Sequence, residues 1–352
     1  LRYLLDKIHS GSRISSSEAL ELFSWDIPSL GAAARYRETA VNPGNTAGFV
    51  IDRIINFSNV CSAKCGFCAF HSKAGRIDPY ELTLDDIFSK IDELNAAGGS
   101  QVMLQGGLDP EKKLNFYVDL VSAVRRRYPE IYLHSFSPAE IYYTSSISGV
   151  TVKDALAELK AAGLNSMPGA SDLLVDSIRQ RVSPNKITTG QWRQVMLALR
   201  DNGMGSTATM TYGMGETLED RVAHLDFIRS VQDDTGILRA FIPWSFSPAN
   251  TALWRQQRAT GTDYLKVVAV ARIYLDNIKH IQAGWLTEGL KPAQTALAMG
   301  ADDMGGILME ELVVNATGIT TRADIDEFVR LIKDAGRVPV LRDSEYRELK
   351  RF

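Results

Sequence analysis

From residue 50 onward, the apolar positions of this chain alternate between two rhythms. Stretches with the helical spacing i, i+3, i+4 are each followed by a glycine and then a short unbroken apolar run. The first such unit opens at Thr83-Leu84-Asp85-Asp86. Thr83 is placed to cap a helix, Asp86 stands three residues on, and Leu84, Ile87, Ile91 and Leu94 share one face. Gly98 closes the helix, and Gln101 to Leu104 reads as a buried strand. The same grammar returns at Thr151 (closed by Gly163), Thr188 (closed by Gly203) and Thr217 (closed by Gly236), with strands beginning near Leu164, Thr207 and Leu238. Adding strands from Val50 to Phe57 and near Ile131, Ile281 and Asp302 gives seven or eight β–α units. Such alternation predicts an α/β fold with parallel strands inside and helices outside, and about eight units favour a closed (β/α)8, TIM-type barrel over an open sheet. Residues 1–48 read as a helical lead-in with a turn at Asn42-Pro43-Gly44-Asn45, residues 49–306 as the barrel, and residues 307–352 as a C-terminal helical cap built around Asp324 to Ala335.

Composition narrows the function classes. The 352 residues are 45% hydrophobic and 23% charged, which supplies a large core, and a net charge of −3 argues against nucleic acid as a partner. The one basic run, Arg125-Arg126-Arg127, ends a predicted helix, where cations complement the helix dipole. No apolar run approaches the roughly 20 residues that span a bilayer, so no membrane partner is expected. The opening residues, Leu1 to Asp6, lack the apolar core of a secretory leader, and a reducing cytoplasm is the expected setting.

All three cysteines of the chain, Cys61, Cys65 and Cys68, lie within eight residues, directly after the first predicted strand. Three thiolates can hold three irons of a [4Fe–4S] cube and leave the fourth iron open to a small molecule. The other reading is a structural zinc site, which needs a fourth ligand, with His71 at hand. An odd count argues against disulfides. In a barrel the active site lies at the C-terminal ends of the strands, which is where this loop falls.

Other candidates also follow strands. Gly106 and Gly107, in Gln105-Gly106-Gly107-Leu108, would let a ligand approach the backbone. His134 to Glu140 brings an imidazole, hydroxyls (Ser137 among them) and a carboxylate to the barrel mouth, suited to a ribose or to substrate hydroxyls. Asp172 is either a helix cap or a substrate contact, and Glu216 either a first-turn carboxylate or an active-site base. The aromatics of Phe241 to Phe246 would suit a wall against a planar substrate.

The spacing Cys61-x3-Cys65-x2-Cys68 resembles the signature of the radical S-adenosylmethionine (SAM) superfamily. Together with Gln105-Gly106-Gly107, His134 to Ile141, Val182 to Thr189, Thr207 to Met210, Phe241 to Trp244, Ile281 to Trp285, Met309 to Glu311 and Arg342 to Tyr346, it is similar to that superfamily's menaquinone and deazaflavin branch. The Pro243-Trp244 turn and the Arg342-Asp343 pair resemble the branch's futalosine cyclases in particular. The resemblance implies a [4Fe–4S] cluster on the three cysteines and SAM chelated to its open iron. It further implies that Gly106 and Gly107 receive SAM's methionyl amino group and that Phe70 borders its adenine. The implied reaction is removal of the ribose C4′ hydrogen of dehypoxanthine futalosine by a 5′-deoxyadenosyl radical, followed by ring closure onto the benzoate. A base for the last proton would come from Glu140, Asp172, Glu216 or His134, and electrons from a donor such as flavodoxin or ferredoxin. Aminofutalosine synthase and a deazaflavin-type synthase are the alternative activities. The chain departs from the family pattern at Ala170-Ser171-Asp172, at Met214-Gly215 and at His71.

Overall fold

The computed structural model describes residues 2–72 and 77–352. Three helices lead in: α1 (Arg2–His9), α2 (Ser16–Ser24) and α3 (Ile27–Val41). The alternating body follows as β1 (Thr46–Asn56), α4 (Leu84–Ala96), β2 (Gln101–Gln105), α5 (Leu114–Arg127), β3 (Tyr132–Leu133), α6 (Pro138–Ser148), α7 (Val152–Ala162), β4 (Ser166–Met167), α8 (Asp176–Val182), α9 (Thr189–Asp201) and β5 (Gly205–Tyr212). It continues with α10 (Leu218–Thr235), β6 (Leu238–Ser245), α11 (Gly261–Tyr274), β7 (His280–Ile281), α12 (Leu290–Ala296) and β8 (Asp303–Leu308). The chain ends with α13 (Ile325–Asp334), β9 (Val338–Arg342) and β10 (Glu348–Arg351).

The helices start where the sequence signals them. Thr83, Thr188 and Thr217 each form a reciprocal capping box with the residue three positions on, as do Ser15 and Thr260. Ile87, Ile91 and Leu94 bury the inner face of α4. Leu84, expected on that face, is 45% exposed, because it occupies the first helical turn before the helix meets the sheet.

Eight parallel strands form the body as two arcs. One runs β8–β1–β2–β3 and the other β4–β5–β6–β7. Single bridges, His134 to Ser166 and Gln282 to Asp303, join the arcs at two seams. The barrel closes only thinly there, since β3, β4 and β7 are two residues long. No helix among the described residues is long and apolar enough to cross a membrane.

The C-terminal segment departs from expectation. A helix does sit where Asp324 caps it, but the chain then forms an antiparallel β9–β10 hairpin, and the expected boundary at residue 307 cuts through β8. The reason lies in β1, whose eleven residues outrun β2. Gly48 pairs with both β8 and β9, and Asp52 with both β8 and β2. A strand has only two edges, so β9 completes the edge that β2 leaves unpaired at the start of β1. The hairpin thereby floors the barrel. Arg342 donates from Nε to Asp303 Oδ2 (2.5 Å) and from Nη2 to Asp303 Oδ1 (2.8 Å). Tyr346 stacks flat on His280, with ring centroids 3.9 Å apart, beneath the Arg342 guanidinium. Replacing Arg342 by leucine strands a buried carboxylate, and urea unfolding of Arg342→Leu should show a loss of about 3–5 kcal/mol.

Candidate active site

The loop after β1 carries Cys61, Cys65 and Cys68, all free thiols. Its backbone is held from several sides. Ser62 N–H donates to Leu108 O (2.8 Å), Gly66 N–H to Val182 O (2.7 Å), and Ala252 N–H to Gly66 O (3.0 Å). Leu108 N–H points at Cys61 Sγ (3.4 Å), and the amides of Phe70 and His71 point at the Cys68 sulfur. Burial pushes the Cys65 thiol up to about 12 against the pull of Lys186, and burial likewise raises Cys68. Loading metal must therefore expel protons from buried sulfurs.

The donor set fits an iron–sulfur cube. All three candidate ligands are thiols, the donor type that holds such clusters, and in a cube each would take its own iron. Amide N–H groups aimed at sulfur are the kind of contact that tunes such clusters.

The expected cofactor residues lie around this loop. A Cβ on Gly107 would come within 2.3 Å of Val60 O and 2.6 Å of Cys61 Cβ, and one on Gly106 within 2.5 Å of the Phe57 ring. Both glycines are thus required by the contact between the β2 turn and the cysteine loop itself. Gly106 N–H donates to Glu140 Oε1 (2.9 Å), whose Oε2 accepts from Ser137 Oγ (2.7 Å). Ser137 also caps α6 by accepting from Glu140 N–H. Burial raises Glu140 to about 7 despite these bonds. Glu140 and Ser137 therefore brace the glycine turn. Phe70 is buried and meets Tyr80 edge to face, with centroids 6.2 Å apart.

Inside the barrel lies a cavity of about 410 Å³, within the usual range for small-molecule sites. It reaches from Phe67 and Cys68 at the upper rim to Arg342, Ser344 and Tyr346 at the floor. Asp172 lines its upper wall. It is not the helix cap that the sequence also allowed, since Val175 precedes α8. The strand edge beyond β4 is extended by two hydroxyls and one backbone carbonyl. Gly169 N–H donates to Thr207 Oγ1, Ser171 N–H to Thr209 Oγ1, and Thr211 N–H to Asp172 O. Trp192, fully buried, donates its indole N–H to Gly169 O (2.8 Å). These bonds hold Ala170 (φ 39°) and Asp172 (φ 48°) in the left-handed region, a strain often kept at functional sites. Asp172 Oδ2 accepts from Lys186 Nζ at 2.5 Å. Burial opposes the Lys186 charge, but Asp172 and Cys65 outweigh it and its pKa stands above the ordinary value.

Two of the four expected acid–base residues, Asp172 and His134, share the cavity wall. His134 Nδ1 lies 2.7 Å from Ser166 Oγ, and burial with Arg239 and Arg342 nearby holds the imidazole neutral, well below its usual range. Glu140 lies behind the glycine turn. Glu216 is a correction: its carboxylate accepts from Gly213 N–H (2.7 Å), Met214 N–H (2.8 Å) and Arg221 Nε (2.9 Å), is fully buried and does not line the cavity. It clasps its own loop. Of the aromatic stretch, Trp244 and Phe246 face the cavity with Trp285, while Phe241 points into the core toward His224.

Three polar lining residues, Asp52, Gln101 and Arg239, lie outside every motif of the sequence. Asp52 accepts from Gln101 Nε2 (3.2 Å), and burial lifts its carboxyl to about 7. A charged residue inside the apolar run of β1 was the available signal for Asp52, as was Arg239 near the start of β6.

The fold and this cysteine-bearing site define a radical SAM enzyme. The "Radical SAM superfamily" profile matches residues 55–228, and the "CofH/MqnC C-terminal region" profile matches residues 234–351. The cyclic dehypoxanthine futalosine synthase of Halalkalibacterium halodurans is 38% identical over 99% of this chain and 95% of its own length. That of Streptomyces coelicolor is 39% identical over 99% of this chain and 89% of its own length. The 5-amino-6-(D-ribitylamino)uracil–L-tyrosine 4-hydroxyphenyl transferase of Methanococcoides burtonii is 40% identical over 87% and 88%. Among solved structures, methylornithine synthase (PylB) superposes with a TM-score of 0.77 at 20% identity over 96% of this chain and 97% of that one, which supports the fold. The chain therefore belongs to the radical SAM superfamily, in the group that holds these synthases and transferases.

Two outcomes follow from the site. Gly107→Ala should displace the Val60–Cys61 backbone, so that iron bound per chain after anaerobic reconstitution falls well below that of the unsubstituted protein. For Glu140, a folded-state pKa of about 7 against an ordinary 4.5 means that its stabilising share is complete at low pH and lost as pH rises through about 7. Glu140→Gln keeps the shape without the charge. Its stability relative to the unsubstituted iron-free protein should improve by about 2 kcal/mol between about pH 5 and about pH 8 in urea titrations.

Proposed function

We propose that this enzyme cyclises dehypoxanthine futalosine to cyclic dehypoxanthine futalosine, a step of menaquinone biosynthesis. One observation carries the reading. The two sequence features that resemble the cyclases, Pro243-Trp244 and Arg342-Asp343, sit 98 positions apart in the chain at Trp244 and Arg342, yet both of these residues line one cavity, as wall and floor.

The cluster and SAM, once bound, supply a 5′-deoxyadenosyl radical. Cys61, Cys65 and Cys68 would hold the cluster, and the Gly106-Gly107 turn braced by Ser137 and Glu140 would seat SAM beside it, with Phe70 beneath the adenine. Trp244, Phe246 and Trp285 would wall the substrate on the side of the cysteine loop. A fixed pose makes the encounter effectively unimolecular, and a closed floor keeps water from reactive species. Asp172 is the best-placed base for the proton lost when the ring regains aromaticity. It lines the cavity beside Lys186 near the cysteine loop, whereas His134 is bound to Ser166 at the start of the strands and Glu216 lies elsewhere.

The transferase relatives support a second reading, in which the same cavity couples L-tyrosine to a ribityl pyrimidine. Aminofutalosine synthesis is a third. Reconstituted protein incubated anaerobically with SAM, reductant and each substrate in turn separates them by product mass. Cyclisation gives a product lighter than dehypoxanthine futalosine by two hydrogens, and its absence while another substrate is consumed rejects the proposal. Asp172→Asn should keep 5′-deoxyadenosine release while cyclised product falls about 100-fold.

A further inference from the structure

Two arginines line the cavity, and they differ in their pairing. Asp172 faces Lys186, and Arg342 is held by both oxygens of Asp303. Glu311 accepts from the amides of Val313 (2.9 Å) and Val314 (2.7 Å). Arg239 alone among the cations of the lining has no carboxylate within ion-pair distance among the described residues. Its Nη2 donates to Ser166 Oγ (2.5 Å) and lies 3.5 Å from His134 Nδ1, and its Nη1 donates to Tyr132 Oη (3.0 Å). The nearest acid on that path is Glu345, one hydroxyl further on, which accepts from Tyr132 Oη at 3.3 Å.

A guanidinium carries five N–H donors, and these three contacts leave at least two. Its planar fork matches a carboxylate through two parallel bonds. The neighbouring imidazole supports the same ligand. A cation 3.5 Å from Nδ1 favours a lone pair there, so the Ser166 hydroxyl donates to Nδ1 and the ring proton sits on Nε2 as a further donor. The depth also fits an elongated substrate. Arg239 lies at the start of β6 and Trp244 near its end, so the two residues mark opposite ends of the cavity wall.

We infer that Arg239, presented by Ser166 and Tyr132, is the subsite that receives the carboxylate of the substrate at the end remote from the cysteine loop. This rests on the proposed function for the identity of the acid, the benzoate of dehypoxanthine futalosine. An unpaired guanidinium would serve the carboxylate of tyrosine equally well. Specificity follows, because a site built for a bidentate anion rejects an analogue that cannot pair with it.

Equilibrium dialysis of reconstituted enzyme against dehypoxanthine futalosine and its benzamide analogue tests this directly. The acid should bind about 10- to 100-fold more tightly than the amide. Arg239→Gln should bring the two ligands to parity, raising KM for the acid by about the same factor with a smaller change in kcat. Arg239→Lys should fall between, since it keeps the charge and loses the fork. Iron content per chain serves as the control for folding. If the unsubstituted enzyme binds acid and amide alike, or if Arg239→Gln with normal iron keeps the preference for the acid, the subsite does not exist. If no futalosine substrate turns over but tyrosine binds more tightly than its amide through Arg239, the subsite stands and the proposed function falls.

Discussion

The backbone pairing of β1 is the constraint on which the other features depend. Along one edge it pairs with β8, and along the other it divides its length between β9 and β2. Because it is fixed on both edges, the loop leaving its end starts from a rigid point, and that loop carries the three thiols. The turn of β2 then presses against the same loop at a distance only glycine permits. Rigid placement matters for a cluster site, whose ligands must meet separate irons without distorting the cube. The division of the β1 edge also brings the C-terminal hairpin under the barrel, so one strand both positions the top of the site and closes its bottom.

Charge governs what lies between. Each carboxylate or ammonium taken into the barrel costs desolvation, and pairing offsets that cost only where geometry is good. Arg272 with Asp302, Arg342 with Asp303 and Lys186 with Asp172 meet that condition. Asp52 meets it only partly and is pushed toward the neutral form. Lys186 links the two halves of the site, because its ammonium touches Asp172 and also acts on Cys65. The upper wall at Asp172 and the rim that carries the thiols are therefore parts of one electrostatic arrangement above a largely apolar lumen.

How far these features could be read beforehand depends on how local their causes are. Capping boxes at Thr83, Thr188 and Thr217 operate within four residues, so the helix starts emerge from the chain directly. Glu216 and Asp172 looked alike in sequence, both acids after a strand. Glu216 turned out to bind amides two and three residues away, while Asp172 met a lysine fourteen residues on. The hairpin β9–β10 was missed because its pairing edge lies nearly three hundred residues earlier, at Thr46 to Phe49.

By itself the sequence determined the alternating β–α order, the helix caps and a thiol trio at the end of the first strand, because periodicity, capping and ligand spacing are encoded within a few turns of chain. Only the tertiary structure decided which acids face the cavity, that the floor is a hairpin, and that Arg239 has no carboxylate partner among the described residues. Those outcomes depend on contacts such as Arg239 to Ser166, 73 residues apart, and Arg342 to Asp303, 39 apart. Burial and pairing across the closed barrel set them, and no local stretch of chain contains both partners.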